Sequence, residues 1–185
     1  MEVSDAAAVA RARAGEQEAF QALVERHSRN VFRLAFRMTG NEEDAEDVVQ
    51  ETFLKAYRHL ARFRGDSEFA TWLHRVAANC SVDLLRRRLP REDARPVEEE
   101  RADSEAGDAP ERAALSGEIG KRVTQSLGLL SPMERMAFVL RHFEGRPIAE
   151  IARTLGLRGG AAKNCVFRAV SKLRRDLAPF IKAAR

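Results

Sequence analysis

Apolar positions recur at helical spacing along most of the chain, and no stretch shows the alternation that is typical of a β-strand. Over residues 16–38 the apolar side chains stand three, four and seven positions apart, which predicts a long amphipathic helix. Thr39-Gly40-Asn41 is expected to end this helix and to begin the next, with Asn41 as its N-cap and acidic residues at 42–44. The pattern therefore predicts an all-α protein.

Further helices are predicted on both sides of a polar stretch. A third helix is expected to begin near Ser67 and to continue to Arg88, where Pro90 prevents its extension. After the polar stretch a helix is expected over 119–127, and Ser131-Pro132-Met133-Glu134 has the form of a capping box with proline at the first helical position. The helix that follows is expected to bury Ala137, Phe138, Leu140 and Phe143.

The C-terminal third has the pattern of a helix-turn-helix. Residues 148–155 place their apolar side chains on one face, Gly156 supplies a turn, and a second helix begins near Gly160. The outer face of this second helix carries Ala161, Asn164, Arg168, Ser171 and Arg175. A helix face of this kind can enter a DNA major groove, because its small residues allow close approach and its cationic and amide side chains can contact bases and phosphates. A packed helix pair with a solvated outer face remains the alternative from the pattern alone.

Charge is divided unevenly along the chain. The net charge is +4, but residues 90–112 hold nine acidic residues against four arginines, a net charge of −5, so that the remainder carries +9. Residues 90–112 have almost no apolar side chain and are predicted to be a flexible acidic linker. The prediction is therefore two small basic helical domains at 15–89 and 113–185, after an N-terminal extension at 1–14.

Several classes of protein and site are disfavoured by composition. No apolar run approaches the roughly 20 residues that span a bilayer, and the N-terminus lacks the apolar core of a signal peptide, so we expect a cytoplasmic protein with no stable membrane insertion. Cys80 and Cys165 lie far apart without metal-ligand spacing, and we expect neither a disulfide nor a metal or other cofactor. Both cysteines are interpreted as packing residues.

Two groups of motifs resemble one known family. Residues 44–58, 63–69, 71–79 and 83–88 resemble region two of the extracytoplasmic-function sigma factors, and Leu130-Ser131-Pro132-Met133-Glu134-Arg135 with the helix-turn-helix resembles their region four. The resemblance implies a bacterial transcription initiation factor without enzymatic activity. It implies core RNA polymerase and promoter DNA, both duplex and melted non-template strand, as partners, and an anti-sigma factor as a further partner.

The resemblance also implies three sets of site residues. Those expected to bind core polymerase are Asp44, Asp47, Gln50, Glu51 and Lys55. Those expected at the minus-ten element are Phe63, Arg64, Asp66, Ser67, Trp72, Arg75, Asn79, Asp83, Arg86 and Arg87, with Arg88 as a further phosphate contact. This set suits the capture of an unpaired base, which needs an aromatic or apolar pocket beside cations. Those expected at the minus-thirty-five element are Arg158, Gly160, Ala161, Lys163, Asn164, Arg168 and Arg175.

Some alternatives stay open at this point. Phe69 and Trp72 are equally well explained as core aromatics, and the linker, which in the family passes through the active-site cleft, can also be a passive tether. Where the commonest family pattern reads Gly-Thr-Val-Lys-Ser-Arg, residues 160–165 lack the threonine hydroxyl and the arginine, which leaves the promoter sequence undefined. A helix-turn-helix regulator that binds duplex operators without polymerase is the second hypothesis. A nucleic-acid enzyme is a third, although the histidines are scattered at 27, 59, 74 and 142.

Overall fold

The computed structural model describes residues 4–63, 65, 67–88, 122 and 125–183, and for 181–183 it describes the backbone only. Within these residues all regular structure is helical, as the sequence predicts. The chain divides into two compact units, of which the first runs to Arg86 and also takes in Thr154–Gly156, while the second holds the other residues. The predicted linker at 90–112 lies outside the described residues, and the exact domain boundaries stay a prediction. No helix in the described ranges is long and apolar enough to cross a membrane.

The first unit is built from four α-helices and one short turn of 3-10 helix. They are α1 (Asp5–Arg13), α2 (Gln17–Thr39), α3 (Glu42–His59), the 3-10 turn Leu60–Arg62 and α4 (Phe69–Arg88). Its core is formed by fully buried side chains from α2, α3 and α4, among them Leu23, Leu34, Met38, Val48 and Leu73. The buried residues of α2 include Leu23, His27, Val31, Leu34 and Met38, and those of α3 include Ala45, Val48, Thr52 and Ala56. Their three- and four-residue spacing is why the apolar pattern predicted α2 and α3 correctly.

The junction between α2 and α3 is fixed by local backbone chemistry. Gly40 has a φ of 83°, which suits glycine, and its N–H donates to the carbonyl of Phe36 at 2.8 Å. The side chain of Asn41 accepts from the N–H of Asp44 at 2.8 Å. The predicted stop and the predicted N-cap are both confirmed. Helix α4 begins at Phe69, two residues later than the sequence predicts.

Residues 5–13 of the predicted N-terminal extension form α1, which packs against α2. One carboxylate joins the two helices: Asp5 accepts a hydrogen bond from Arg26 and lies 2.8 Å from the Nε2 of His27. Ala8, Val9 and Ala12 are buried along the same helix. Helix α1 is therefore held by the two contacts of Asp5 with α2, by a hydrogen bond from Arg13 to the carbonyl of Phe63 at 3.5 Å, and by a small apolar stripe.

The second unit contains the helix-turn-helix. After a helical stretch at 125–128 come α5 (Pro132–Phe138), a π-helical turn (Val139–Phe143), α6 (Ile148–Leu155) and α7 (Gly159–Ala183). The capping box is present, because Ser131 accepts from the N–H of Glu134 while Glu134 accepts from the N–H of Ser131. Gly156 has a φ of 64° in the turn before α7. These predicted signals are confirmed.

The core of the second unit gathers around α7. Leu127, Leu130, Ala169 and Leu173 form one buried cluster, with Phe138 packed against it. The prediction that Phe143 is buried was wrong, because this side chain is 46% exposed. It ends the π-helical turn, whose wider winding shifts the phase of the helix and rotates Phe143 away from the buried stripe.

Candidate nucleic-acid interface and polymerase-binding surface

Three aromatic rings meet where the chain enters α4, and we call them the aromatic cluster: Phe63, Phe69 and Trp72. The ring centroids lie 5.9 Å apart for Phe63 and Phe69, 5.3 Å for Phe63 and Trp72, and 5.7 Å for Phe69 and Trp72. Phe69 is buried and also contacts the ring of His27, whereas Phe63 and Trp72 are half-buried. Phe69 is thus a core residue, while the other two rings keep partly accessible surfaces.

Polar residues of α4 follow the aromatic cluster along one side of the helix. We call Arg75, Asn79, Asp83 and Arg86 the α4 face, because spacings of four, four and three bring them into one stripe. Asn79, Asp83 and Arg86 are exposed and Arg75 is half-buried. Arg87 and Arg88 are exposed at the end of the helix. The structure therefore brings most of the predicted minus-ten residues together.

The loop that leads into α4 is described only in part. Ser67 is half-buried just before the helix, and Gly65 has a φ of 78°. Arg64 and Asp66, both predicted at the minus-ten element, lie outside the described residues. Their roles stay predictions.

The α4 face is linked to α3 by a lysine. The Nζ of Lys55 lies 3.3 Å from Glu51 and 4.0 Å from Asp83. Burial by itself lowers the pKa of Lys55. The acidic groups around the amine outweigh the effect of burial and raise this pKa above its ordinary value; they are Cys80, Glu51 and Asp83. Lys55 therefore stays charged at neutral pH. It lies between Glu51, which is predicted to bind polymerase, and Asp83, which is predicted at the minus-ten element. Cys80 is buried, and this burial raises the pKa of its thiol, as expected for a packing residue.

The outer side of α3 carries an exposed stripe that includes apolar side chains. Asp47, Gln50, Leu54 and Tyr57 follow each other at spacings of three and four, and we call them the α3 face. Leu54 is 45% and Tyr57 is 55% exposed. Asp47 and Gln50 were predicted from the sequence, whereas Leu54 and Tyr57 were not. The signal that could have found these two is an apolar residue on the polar side of an amphipathic helix. Exposed apolar side chains beside polar ones are typical of protein-binding surfaces.

Asp44 does not belong to this accessible surface. It is only 2% exposed, and one of its carboxylate oxygens accepts from the Nδ2 of Asn41 at 2.8 Å. The side chain serves the start of α3, where an acidic group is favoured by the helix dipole. Its burial argues against the predicted direct contact with polymerase. Glu51 and Lys55 are half-buried and remain partly accessible.

The helix-turn-helix presents the start of α7 to solvent. The exposed residues there are Arg158, Gly160, Ala161, Lys163, Asn164, Phe167 and Arg168. On the opposite side Ala162, Cys165 and Ala169 are buried, so the predicted two-sided pattern is confirmed. Phe167 is 71% exposed and was not among the predicted site residues. We call this exposed set the α7 face.

Arg175 is separated from the α7 face. It lies 14 residues beyond Ala161, which corresponds to about 21 Å along a helix axis. Instead it lines a groove of about 540 Å³ together with Leu129, Lys172 and Phe180. Arg175 lies seven residues, or about 10 Å, beyond Arg168 on the same helix. Its contact at the minus-thirty-five element stays a prediction.

Arg168 has a partner that the sequence did not indicate. Its Nε lies 3.4 Å from Oε1 of Glu134, the capping-box residue of α5. Lys172, one turn further along α7, donates to Oε2 of Glu134 at 2.7 Å. One buried carboxylate therefore contacts two cations of the helix that carries the α7 face.

Comparison with known proteins places the chain in a family. The model of sigma-70 region 2 matches residues 23–89, and that of sigma-70 region 4 matches residues 121–173. The RNA polymerase sigma-H factor of Pseudomonas aeruginosa is 36% identical over 183 residues, which is 95% of each chain. The chain belongs to the extracytoplasmic-function sigma factors. The sigma-E factor of Escherichia coli K12 is also 36% identical, over 98% of both chains.

Solved structures of sigma factors share the fold. CnrH, solved in complex with the cytosolic domain of CnrY, superposes with a TM-score of 0.64 and 31% identity over 93% of this chain and 96% of that one. The sigma factor RpoE of Bartonella quintana, solved with the anti-sigma factor NepR, gives a TM-score of 0.60 at 22% identity over 86% and 96%. The second likeness supports the fold alone.

Proposed function

We propose that this sigma factor binds core RNA polymerase through the α3 face and directs it to promoters through the α4 and α7 faces. The observation that carries the proposal is the α4 face beside the aromatic cluster, in a family member that also has a helix-turn-helix. Family membership favours this function over a regulator that acts on duplex operators alone. It also implies a factor that directs an enzyme, without catalysis of its own, in the cytoplasm where transcription takes place.

The first unit suits the melted minus-ten element. Asn79 can both donate and accept hydrogen bonds at a base edge, and Arg86 and Arg87 can bind phosphates on the same helix. Phe63 and Trp72 offer partly accessible rings on which an unpaired base can stack, a contact that is typical of single-strand binding. This arrangement supports roles for Phe63, Trp72, Asn79 and the arginines in promoter opening.

The second unit suits duplex DNA at the minus-thirty-five element. Lys163, Asn164 and Arg168 lie within the first three turns of α7, so one major groove can hold all three. The backbone amides at the start of the same helix, near Gly159 and Gly160, favour a phosphate. We propose the domain limits of 15–89 and 113–185 for these two activities.

The α3 face suits a protein partner. Leu54 and Tyr57 provide apolar area, while Asp47 and Gln50 supply polar contacts at its edge, as in other protein interfaces. We further propose that an anti-sigma factor competes for such faces, since CnrH was solved in complex with the domain of another protein. Purification of the tagged chain from cells before and after stress, with its bound proteins identified, tests this partner.

Reconstitution with core RNA polymerase from the same bacterium tests the main proposal. Run-off transcription on a genomic promoter library is expected to give defined start sites that core alone does not give. Asn79→Ala is expected to lower promoter opening about tenfold, since a good base contact contributes about 1–3 kcal/mol, while core binding is unchanged. Asn30→Ala, at an exposed asparagine of α2 that contacts Arg33 of the same helix, is the matched control. Failure to bind core, or tight sequence-specific binding of duplex without polymerase, would contradict the proposal.

A further inference from the structure

Glu134 is a buried acidic residue with more partners than a helix cap requires. It is 5% exposed, and Oε2 accepts the N–H of Ser131 at 3.0 Å, which completes the capping box. A buried carboxylate is costly unless its charge is compensated. The capping hydrogen bond alone leaves the negative charge of Glu134 unpaired.

The compensation comes from α7. Oε2 accepts from the Nζ of Lys172 at 2.7 Å, and Oε1 lies 3.4 Å from the Nε of Arg168. Burial by itself raises the pKa of Glu134, but the hydrogen bonds from Lys172 and from the N–H of Ser131 outweigh it and hold this pKa below its ordinary value. The carboxylate is therefore ionised at neutral pH, and two cations four residues apart on α7 converge on it.

The two cations differ in what remains available to a ligand. The side chain of Arg168 is 61% exposed, and its contact with Glu134 uses Nε, the nitrogen nearest the helix. The two terminal nitrogens form the fork that arginine uses on a guanine or a phosphate. One of them, Nη2, donates a weak hydrogen bond to Sγ of Cys165 at 3.8 Å, which a stronger acceptor on DNA can replace. Lys172 is 38% exposed and uses its charged atom on Glu134. The carboxylate of Glu134 thus orients Arg168 through its Nε and partly neutralises the charge of Lys172.

We propose that Glu134 is a positioning residue of the minus-thirty-five interface, which holds Arg168 ready to read bases and restrains Lys172 from non-specific phosphate contacts. The inference rests on the proposed role of the α7 face. An arginine fixed before binding loses less side-chain freedom on the DNA, which favours the correct sequence. A free lysine adds a sequence-independent attraction that favours any duplex. Both effects of Glu134 therefore increase discrimination.

The decisive variants separate the charge of Glu134 from its capping role. Glu134→Gln keeps an oxygen that can accept the N–H of Ser131, since glutamine also completes a capping box, but it removes the charge that Arg168 and Lys172 face. Ser131→Ala removes the other half of the capping box and leaves the carboxylate in place. The second variant is the matched control for loss of helix stability.

The assay uses the full chain bound to core polymerase. The probes are a duplex selected by the wild-type complex from a randomised pool and a scrambled duplex of the same composition, with dissociation constants measured by fluorescence anisotropy at several salt concentrations. For Glu134→Gln the ratio of the two constants is expected to fall about three- to tenfold. Affinity for the scrambled duplex is expected to rise, with a logarithmic salt slope steeper by up to about one. Ser131→Ala is expected to leave ratio and slope near the wild-type values.

Two results would overturn the inference. One is an unchanged ratio in Glu134→Gln, and the other is an equal fall of the ratio in Ser131→Ala, which would mean that Glu134 acts only by stabilising α5. A wild-type complex that enriches no sequence from the pool would instead refute the proposed reading of promoter DNA by the α7 face, and the inference with it. The behaviour of the wild type thus distinguishes the two failures.

Discussion

Replacement of Asp5 by alanine tests how the first unit is held together. The carboxylate of Asp5 has two partners on α2: the guanidinium of Arg26 and the Nε2 of His27, the latter at 2.8 Å. The side chain of His27 is 9% exposed, whereas those of Arg26 and Asp5 are 30% and 28% exposed. The two contacts therefore differ in environment, and their expected contributions differ accordingly.

The magnitude follows from these environments. The pair with Arg26 is partly accessible to water, which screens its charges, and it contributes at most about 1 kcal/mol. Loss of the acceptor for the buried ring of His27 costs about 1–3 kcal/mol, because no water replaces it readily. Asp5→Ala is therefore expected to lower the free energy of unfolding of the first unit by about 1–4 kcal/mol. Asp5→Asn keeps an acceptor for His27 and is expected to cost about 1 kcal/mol.

The chain provides its own probe for this measurement. Its single tryptophan is Trp72, which lies in the aromatic cluster of the first unit, so its fluorescence during urea unfolding reports on this unit. The midpoint of Asp5→Ala is expected to shift down by about 0.5–2 M, for a dependence of about 2 kcal/mol per molar urea. Glu16→Gln, which breaks the exposed contact with Arg11, is the control and should leave the midpoint unchanged. A midpoint for Asp5→Ala equal to that of the control would refute the reasoning.

Three further predictions concern caps, charge and pH. Asn41→Ala removes the N-cap of α3 and is expected to destabilise the first unit by about 1 kcal/mol, measured through Trp72; no change would mean that the cap contributes nothing. Lys163→Ala is expected to weaken binding of all duplexes alike and to reduce the logarithmic salt slope by about 1, and a sequence-selective loss would contradict a phosphate contact. The lowered pKa of Glu134 stabilises the second unit above the ordinary value of 4.5, and this contribution is lost as the pH falls through the lowered pKa. Thermal unfolding of wild type and Glu134→Gln, followed by circular dichroism, should therefore converge in acid, and a difference that stays constant would count against the ion pairs.

The sequence alone determined the helices and their ends. The apolar spacing of α2 and α3, the cap at Asn41 and the capping box at Ser131 were all predicted correctly, because each depends on contacts within about four residues along the chain. The two motif sets also indicated the family, since each consists of short contiguous runs of residues. What remained open was which polar side chains are accessible.

Only the tertiary structure decided that question, because accessibility depends on residues that are distant in sequence. Asp44 and Glu134 both stand in the first turn of a helix, and a local pattern treats them alike as solvated acids. In the folded chain both are buried, Asp44 at 2% and Glu134 at 5% exposure. Glu134 contacts Arg168 and Lys172 of α7, which lie 34 and 38 residues further along the chain. Likewise, Tyr57 and Phe143 are exposed because the neighbouring helices cover their side chains only in part. For Phe143 there is a second reason: the π-helical turn changes the direction in which this side chain leaves the helix. Helical periodicity thus specifies the elements, and the packing between them specifies which side chains remain free to bind.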